Sequence, residues 1–372
     1  MATVVLKKCR SYRSAKEAIA AIVDKLGGMA HFVKPGDSVL IKPNLLGAHA
    51  PDEAVTTHPS VVQAVAELIL DCRGRPVVAD SPGIDRFRAV AAKTGMARVG
   101  QELGIPVIPL TDSCPVPPRP GTPFRRIELS RQVLEADRIV NLPKMKTHCQ
   151  MTLTLGVKNL FGTVVAQRKA EWHYKVGLDR DQFARLLVEI WAACPPALTI
   201  LDGVLGMEGR GPSNGMARRF DLIAASDDSL ALDLTLAPMM GVPLPSFPLY
   251  RSAKKAGVLP KNIRRISDPR LPLQFKSVIL PPEDSLRLLP SLLDNFGRDI
   301  LASRPVQNQQ RCVLCGKCVR ICPADAITIR GAQLVFDYQS CIRCYCCQEM
   351  CPQDAIDLQK GLLLRLLDIL HR

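Results

Sequence analysis

Nine cysteines fall between Cys312 and Cys351, and eight of them form two copies of one pattern. The first copy runs Cys312, Cys315, Cys318, Cys322, Pro323. The second, 29 residues further on, runs Cys341, Cys344, Cys347, Cys351, Pro352. Each reads C-x2-C-x2-C-x3-C-P and continues x-Asp-Ala-Ile. Three thiolates on one tight loop can hold three corners of a 4Fe–4S cube, and the fourth cysteine, a helical turn further on, reaches the other cube. The spacing therefore assigns Cys312, Cys315, Cys318 and Cys351 to one cluster, and Cys341, Cys344, Cys347 and Cys322 to the second. Pro323 and Pro352 break the chain where it must turn between the two. Folding of such a segment is coupled to binding of its metal.

Zinc modules group their cysteines as separated pairs, unlike this spacing. Cys346 aligns with Lys317 of the other copy and reads as a free thiol beside a cluster. The remaining five of the 14 cysteines, Cys9, Cys72, Cys114, Cys149 and Cys194, are scattered, so a uniform disulfide framework is excluded. No C-x3-C-x2-C loop of the radical-SAM kind is present. On the duplicated motif, residues 304–360 resemble a bacterial-type ferredoxin with two 4Fe–4S clusters. That resemblance implies one-electron transfer, a small repeat of strands and helix, and clusters close enough to exchange electrons. Small ferredoxins are usually acidic, whereas residues 304–372 carry nine Lys and Arg against six Asp and Glu. An internal wire serving a site in the same chain is expected, in preference to a diffusing carrier.

The first 300 residues of the 372 alternate apolar runs with helical patterns. Strands are expected at 4–6, 38–43, 76–80, 106–110, 137–142, 198–204 and 221–225. Helices are expected at 15–26, 59–72, 182–193 and 229–237, with Pro59 in the first turn behind Thr57 or His58 as cap. This order predicts an α/β body, 1–303, built on an open, largely parallel sheet, followed by a small C-terminal ferredoxin-type α+β domain, 304–360. Loops rich in Pro and Gly are expected at 113–123, 206–215 and 241–248, a helix at 284–301 and a polar linker at 303–310. Residues 361–372 pattern as an amphipathic helix that could dock on the body, on a second subunit or on a membrane surface.

Polar clusters follow several of the expected strands. They hold Lys42 and Asn44; Asp80; Lys144, Lys146 and His148; Lys158 and Asn159; and Asp202. Open α/β sheets bind ligands beyond the carboxyl ends of their strands. Four lysines brought together there suit a carboxylate or phosphate. Lys144, Lys146, His148, Lys158 and Asn159 are therefore the candidate catalytic residues. Lys42, Asn44, Asp80, Gly209 and Gly211 are the candidates for holding a second, unidentified cofactor, the two glycines by letting backbone approach a ligand. Glu208 in the same loop is a further acid/base candidate.

The ordered motifs IKPN, TTHPSVV, ADSPG, NLPKMKTH, GVKNLFG and DGVLGMEGRGP resemble the family known as domain of unknown function 362 over residues 38–235. Its members often carry a C-terminal ferredoxin module, and the family name implies no reaction. The strand–THP–helix–DSPG portion also resembles, more faintly, nickel-dependent lactate racemases. That likeness implies lysines and histidines holding a nickel-bearing nucleotide, for which Lys144, Lys146, His148, Lys158 and His173 are of the right types.

The N-terminus carries Lys7, Lys8, Arg10 and Arg13 and lacks an apolar signal core, and no run of about 18 apolar residues occurs, so cytoplasmic residence without a transmembrane helix is expected. A formal charge of +14 raises nucleic acid as a partner, but aromatics are 5% and no nucleic-acid module is visible. The expected function is a redox enzyme feeding electrons from the clusters to a small anionic substrate or cofactor, supplied by a redox partner protein. The alternative is a non-catalytic electron-transfer or cofactor-assembly partner, oligomeric through the C-terminal helix.

Overall fold

The computed structural model of the chain describes residues 1–166, 168–177, 179–281 and 303–359. The expected helices at 284–301 and 361–372 lie outside them. The chain divides into two compact units. One comprises Met1–Lys169 with Arg180–Leu280, and the other groups Ala170–Asp179 with the C-terminal residues from Pro281 onward.

The body unit is built on one sheet. Its strands are β1 (Ala2–Lys8), β2 (Ser38–Pro43), β3 (Arg75–Asp80) and β4 (Val107–Pro109). A separate hairpin, β5 (Ser113–Val116) with β6 (Ile127–Ser130), follows. The sheet continues with β7 (Arg138–Leu142), β8 (Lys144–His148), β9 (Thr152–Thr154), β10 (Leu198–Glu208), β11 (Met216–Ser226) and β12 (Ile263–Ser267). The order is β12-β1-β11-β10-β7-β2-β3-β4, with β8 beside β10 and β9 beside β8. β2, β3, β4, β7 and β10 run parallel, as do β8 with β10 and β1 with β12. β11 is antiparallel to both its neighbours. The sheet is therefore largely parallel, as the alternating pattern predicts.

Parallel neighbours need crossovers, and the helix Pro59–Asp71 supplies the one from β2 to β3. Pro59 sits at its first position, where the missing N–H costs nothing, and the His58 Nδ1 caps it by accepting from Ser60 N at 3.2 Å. Its Val61, Val62, Val65 and Ile69 are buried in a core shared with Ile19 and Ile22 of the helix Ala15–Asp24 and with Val39, Ile41, Val78 and Val140 of the strands. Three expectations for the body need correction. Residues 113–116, expected in a loop, form β5 because they pair with β6 from Ser113 opposite Ser130 to Val116 opposite Ile127. Residues 206–208, expected in a loop, continue β10, because they pair with β11 as far as Glu208 opposite Met216. The segment 144–148, expected to be a polar loop, is the buried strand β8.

Pro143 explains the break between β7 and β8. It has no N–H for a ladder, so β7 pairs with β2 and the start of β10, and β8 resumes alongside β10 with Lys144 opposite Asp202.

In the C-terminal unit β13 (Arg304–Gln307) pairs antiparallel with β16 (Ile356–Gln359), and β14 (Ile327–Arg330) with β15 (Gln333–Phe336). The expected linker 303–310 is thus partly strand. Short helices Lys317–Ile321 and Cys346–Glu349 follow the cysteine loops. Cys318, Ile327, Leu334, Cys347 and Ile356 form the small core.

Candidate functional site

The parallel strands deliver polar residues to one edge of the body sheet. Lys42 near the end of β2 stands opposite Asn141 of β7, β3 ends on Asp80, and Asp202 of β10 stands opposite Lys144. Lys42 and Asp80 form a buried ion pair, Nζ to Oδ1 2.8 Å, while Asp80 also accepts from Leu45 N and Ser81 N. No Cβ could stand between them and the next turn of chain. On Gly162 it would lie 2.6 Å from both Asp80 Oδ1 and Lys42 Nζ.

A second pair lies along β8 and β10. Lys144 Nζ is 2.8 Å from Asp202 Oδ2 and 2.9 Å from the Tyr12 hydroxyl, which itself donates to Asp202 Oδ1 at 2.9 Å. The Tyr12 ring stacks on that of His58 at 3.5 Å, and His58 N donates to Asp202 Oδ2. Burial pushes the Lys144 ammonium down, with Asp202 opposing. Burial and Asp202 push the Tyr12 phenol up, so it stays protonated. Burial, aided by Lys144 and opposed by Asp202, brings the His58 imidazole down to about 4.

Amides join the strand ends. Lys146 Nζ donates to Asn44 Oδ1 at 2.9 Å and to Val55 O at 2.8 Å. Asn44 Nδ2 donates to Asn159 Oδ1, and Asn159 Nδ2 to Asn141 Oδ1 and to Lys42 O. Asn141 Nδ2 then donates to Gly156 O. Lys42, Asn44, Asp80, Lys144, Lys146 and Asn159 are thus brought together at one edge.

Lys158 lies over the rings of Phe161 and Phe183, 4.7 and 5.2 Å from their centroids. Lys169 donates to Ser81 O. Burial pushes its ammonium down to about 7, with Asp80 opposing and Lys42 and Lys158 adding to the shift. Lys169 is thus acted on by the Asp80 carboxylate and by the ammoniums of Lys42 and Lys158.

Other candidates lie elsewhere or do structural work. His148 Nδ1 accepts from Gln150 N and Met151 N in the turn from β8 to β9. Gly209 O accepts from Thr147 Oγ1, Gly211 O accepts from Cys149 N, and a Cβ on Gly211 would collide with the Thr147 carbonyl. These glycines let the β10–β11 turn close on β8. Glu208 pairs with Arg218 at 2.6 Å. His173 belongs to the C-terminal unit. Tyr12, His58, Asn141 and Lys169 enter the network without having been singled out as site candidates, and Asp202 enters it from a polar cluster to which no role was given. Asn141 and Asp202 had the signal of a strand end, and Tyr12 had none.

In the C-terminal unit Cys312, Cys315, Cys318 and Cys351 line one cavity, together with Leu314, Leu334 and Ile356. The fourth thiol comes from the other repeat, as the spacing requires. Burial pushes the Cys318 thiol up and Cys351, Cys315 and Cys312 add to this, whereas Cys344 and Cys341 are the thiols that press on Cys322. Matching residues of the two loops take left-handed backbone: Leu314 with Arg343, Gly316 with Tyr345, and Asp325 with Asp354. Matching amides, Ala326 N and Ala355 N, donate to Cys322 Sγ at 3.3 Å and Cys351 Sγ at 3.1 Å. Curled loops, converging thiols and N–H donors aimed at sulfur fit two 4Fe–4S cubes.

A 4Fe-4S dicluster domain matches residues 304–352, and the chain binds two 4Fe–4S clusters. The thylakoid-associated protein sll1697 of Synechocystis sp. (strain ATCC 27184 / PCC 6803 / Kazusa) is 38% identical over 266 residues, covering 69% of this chain and 80% of that relative. Among solved structures, the lactate racemase apoprotein from Thermoanaerobacterium thermosaccharolyticum is similar with TM-score 0.39 and 11% identity, over 62% of this chain and 55% of that one. A protein from Thermotoga maritima is similar with TM-score 0.38 and 14% identity, over 58% and 56%. The chain spans little more than half the length of those two structures, and likeness at that level carries no functional argument. Among the described residues no helix is long and apolar enough to cross a membrane. The model of the domain of unknown function DUF362 matches residues 39–237, more than half of the sequence, and the chain belongs to that family.

Proposed function

We propose that this iron–sulfur protein is a redox enzyme whose two clusters pass electrons to an anionic substrate or cofactor at the carboxyl edge of the body sheet. The observation that supports the reading is Lys169, buried by Ser81 and acted on by Asp80 and by the ammoniums of Lys42 and Lys158 at the end of β3. Lysines at the carboxyl ends of parallel strands suit an anion. In this reading Lys42, Lys158 and Lys169 meet the ligand. Lys144, Lys146, Asn44 and Asn159 hold the edge in shape, and His148, Gly209 and Gly211 support β8. Each cluster supplies one electron, so a two-electron reduction draws on both, and a redox partner protein restores them. Lys169, held near neutral pH, is the group suited to deliver a proton as the ligand gains electrons.

The test starts from the intact chain, isolated without oxygen and assayed for iron and sulfide. Its clusters are bleached with dithionite and then exposed to small-molecule fractions of cell extract. A ligand should restore visible absorbance quickly in the native chain and slowly in Lys169→Met, with iron content equal in both. If no fraction reoxidises the clusters of the native chain faster than buffer, the reading fails.

A further inference from the structure

The Pro-rich segment 115–123 takes no part in the edge described above. With the last turn of the helix Arg180–Ala193 it encloses a cavity of about 230 Å³. Pro115, Val116, Pro117, Ile127 and Ala193 give it apolar walls, and Arg119 and Glu189 are its charged lining. Glu189 is 3% exposed, and its charge is met by Arg185, whose Nε lies 2.8 Å from Oε1. Arg119 Nε stands 4.0 Å from the other oxygen. The Nη1 of Arg119 is buried with no hydrogen-bond acceptor among the described residues, and Arg185 Nε and Glu189 Oε1, though 2.8 Å apart, are not aligned to bond each other. Two guanidiniums thus serve one carboxylate, leaving one positive charge in excess beside a donor that lacks an acceptor.

We propose that this cavity binds a small monocarboxylate with an apolar body, its carboxylate on Arg119 and its body against the proline and valine walls. A buried donor without an acceptor is costly and rare in native proteins. A carboxylate is the acceptor whose geometry a guanidinium fork matches. The apolar walls ask for hydrocarbon in the remaining space, because a ligand polar throughout would be desolvated there without partners. The volume lies below the usual range for pockets that take drug-sized ligands, which favours ligands the size of phenylacetate or hexanoate. The inference does not depend on the reading of the lysine edge.

Titration calorimetry of the intact, cluster-loaded chain with phenylacetate tests it. Saturable one-site binding is expected, weakened by about tenfold or more in Arg119→Met, which removes the charge-assisted bonds. Ala193→Trp keeps Arg119 and fills the cavity. It should weaken binding comparably, and it decides the matter if Arg119→Met fails to fold. Neutral 2-phenylethanol should bind more weakly than phenylacetate. The proposal is overturned if neither phenylacetate nor hexanoate binds the native chain saturably, or if the folded variants bind as the native chain does. It is equally overturned if benzylamine binds as tightly as phenylacetate, since Glu189 would then be the anchor.

Discussion

The ammonium of Lys144 lies 2.8 Å from the carboxylate of Asp202, and neither side chain is exposed to solvent. Desolvating two ions costs several kcal/mol each, and the pair repays that only while both members and their hydrogen bonds are present. Tyr12 and His58 N supply further bonds to Asp202.

Removing one member leaves the other buried and unpaired. Lys144→Met should therefore destabilise the body by about 3–5 kcal/mol, and Lys144→Met with Asp202→Leu by clearly less. Urea unfolding followed by circular dichroism measures both. If the double variant is as unstable as the single one, the pair is not the source of the loss.

Gly162 tests the other pair. A Cβ there meets Lys42 Nζ and Asp80 Oδ1 at 2.6 Å. Both are ends of buried side chains held on strands, so the pair must separate or the turn must shift. Gly162→Ala should cost about 1–3 kcal/mol as overpacking, with cluster iron retained. Unchanged stability by the same unfolding assay would show that the pair yields freely.

What could be read in advance follows how local each signal is. The eight cluster cysteines were legible because their geometry is written into an eleven-residue span twice over. The strand ends at Lys42, Asp80 and Asn141 were legible because apolar runs stop there. β8 was not. Its Lys144, Lys146 and His148 read as a polar loop after a strand, and the two lysines are buried there by remote partners, Asp202, Asn44 and the Val55 carbonyl. Tyr12 meets Asp202 across 190 positions of sequence, and no local pattern announces such a pairing. Lys169 reaches Ser81 across 88 positions, again with no local pattern to announce it.

The depressed His58 imidazole makes stability depend on pH. The folded group titrates at about 4, against an ordinary value near 6.5. Between those values the unfolded chain binds the proton and the folded chain does not. Stability is thus complete above about pH 6.5 and falls as pH drops toward 4, by about 2 kcal/mol once its partial exposure is allowed for. His58→Asn keeps a side chain able to cap the helix and lacks the titration. Unfolding curves at several pH values should show a smaller acid loss in the variant, and equal losses would remove His58 from the account.

Cys346 tests the assignment of ligands. It is the ninth cysteine of the module, is buried, and its thiol hydrogen-bonds to the sulfur of Cys344. As a neighbour and not a ligand, it should be dispensable for cluster assembly. Cys346→Ala should keep the iron content of the native chain, whereas Cys344→Ser should lose iron. A hydrogen bond to a ligand sulfur favours the more negative, reduced cluster, so removing the donor should lower its potential. With about 0.5–1.5 kcal/mol for such a bond and 59 mV per 1.4 kcal/mol for one electron, the drop is roughly 20–60 mV. Redox titration followed by electron paramagnetic resonance should show one cluster shifted and the other unmoved. Loss of iron in Cys346→Ala would instead place Cys346 among the ligands and reopen the pairing of the second cluster.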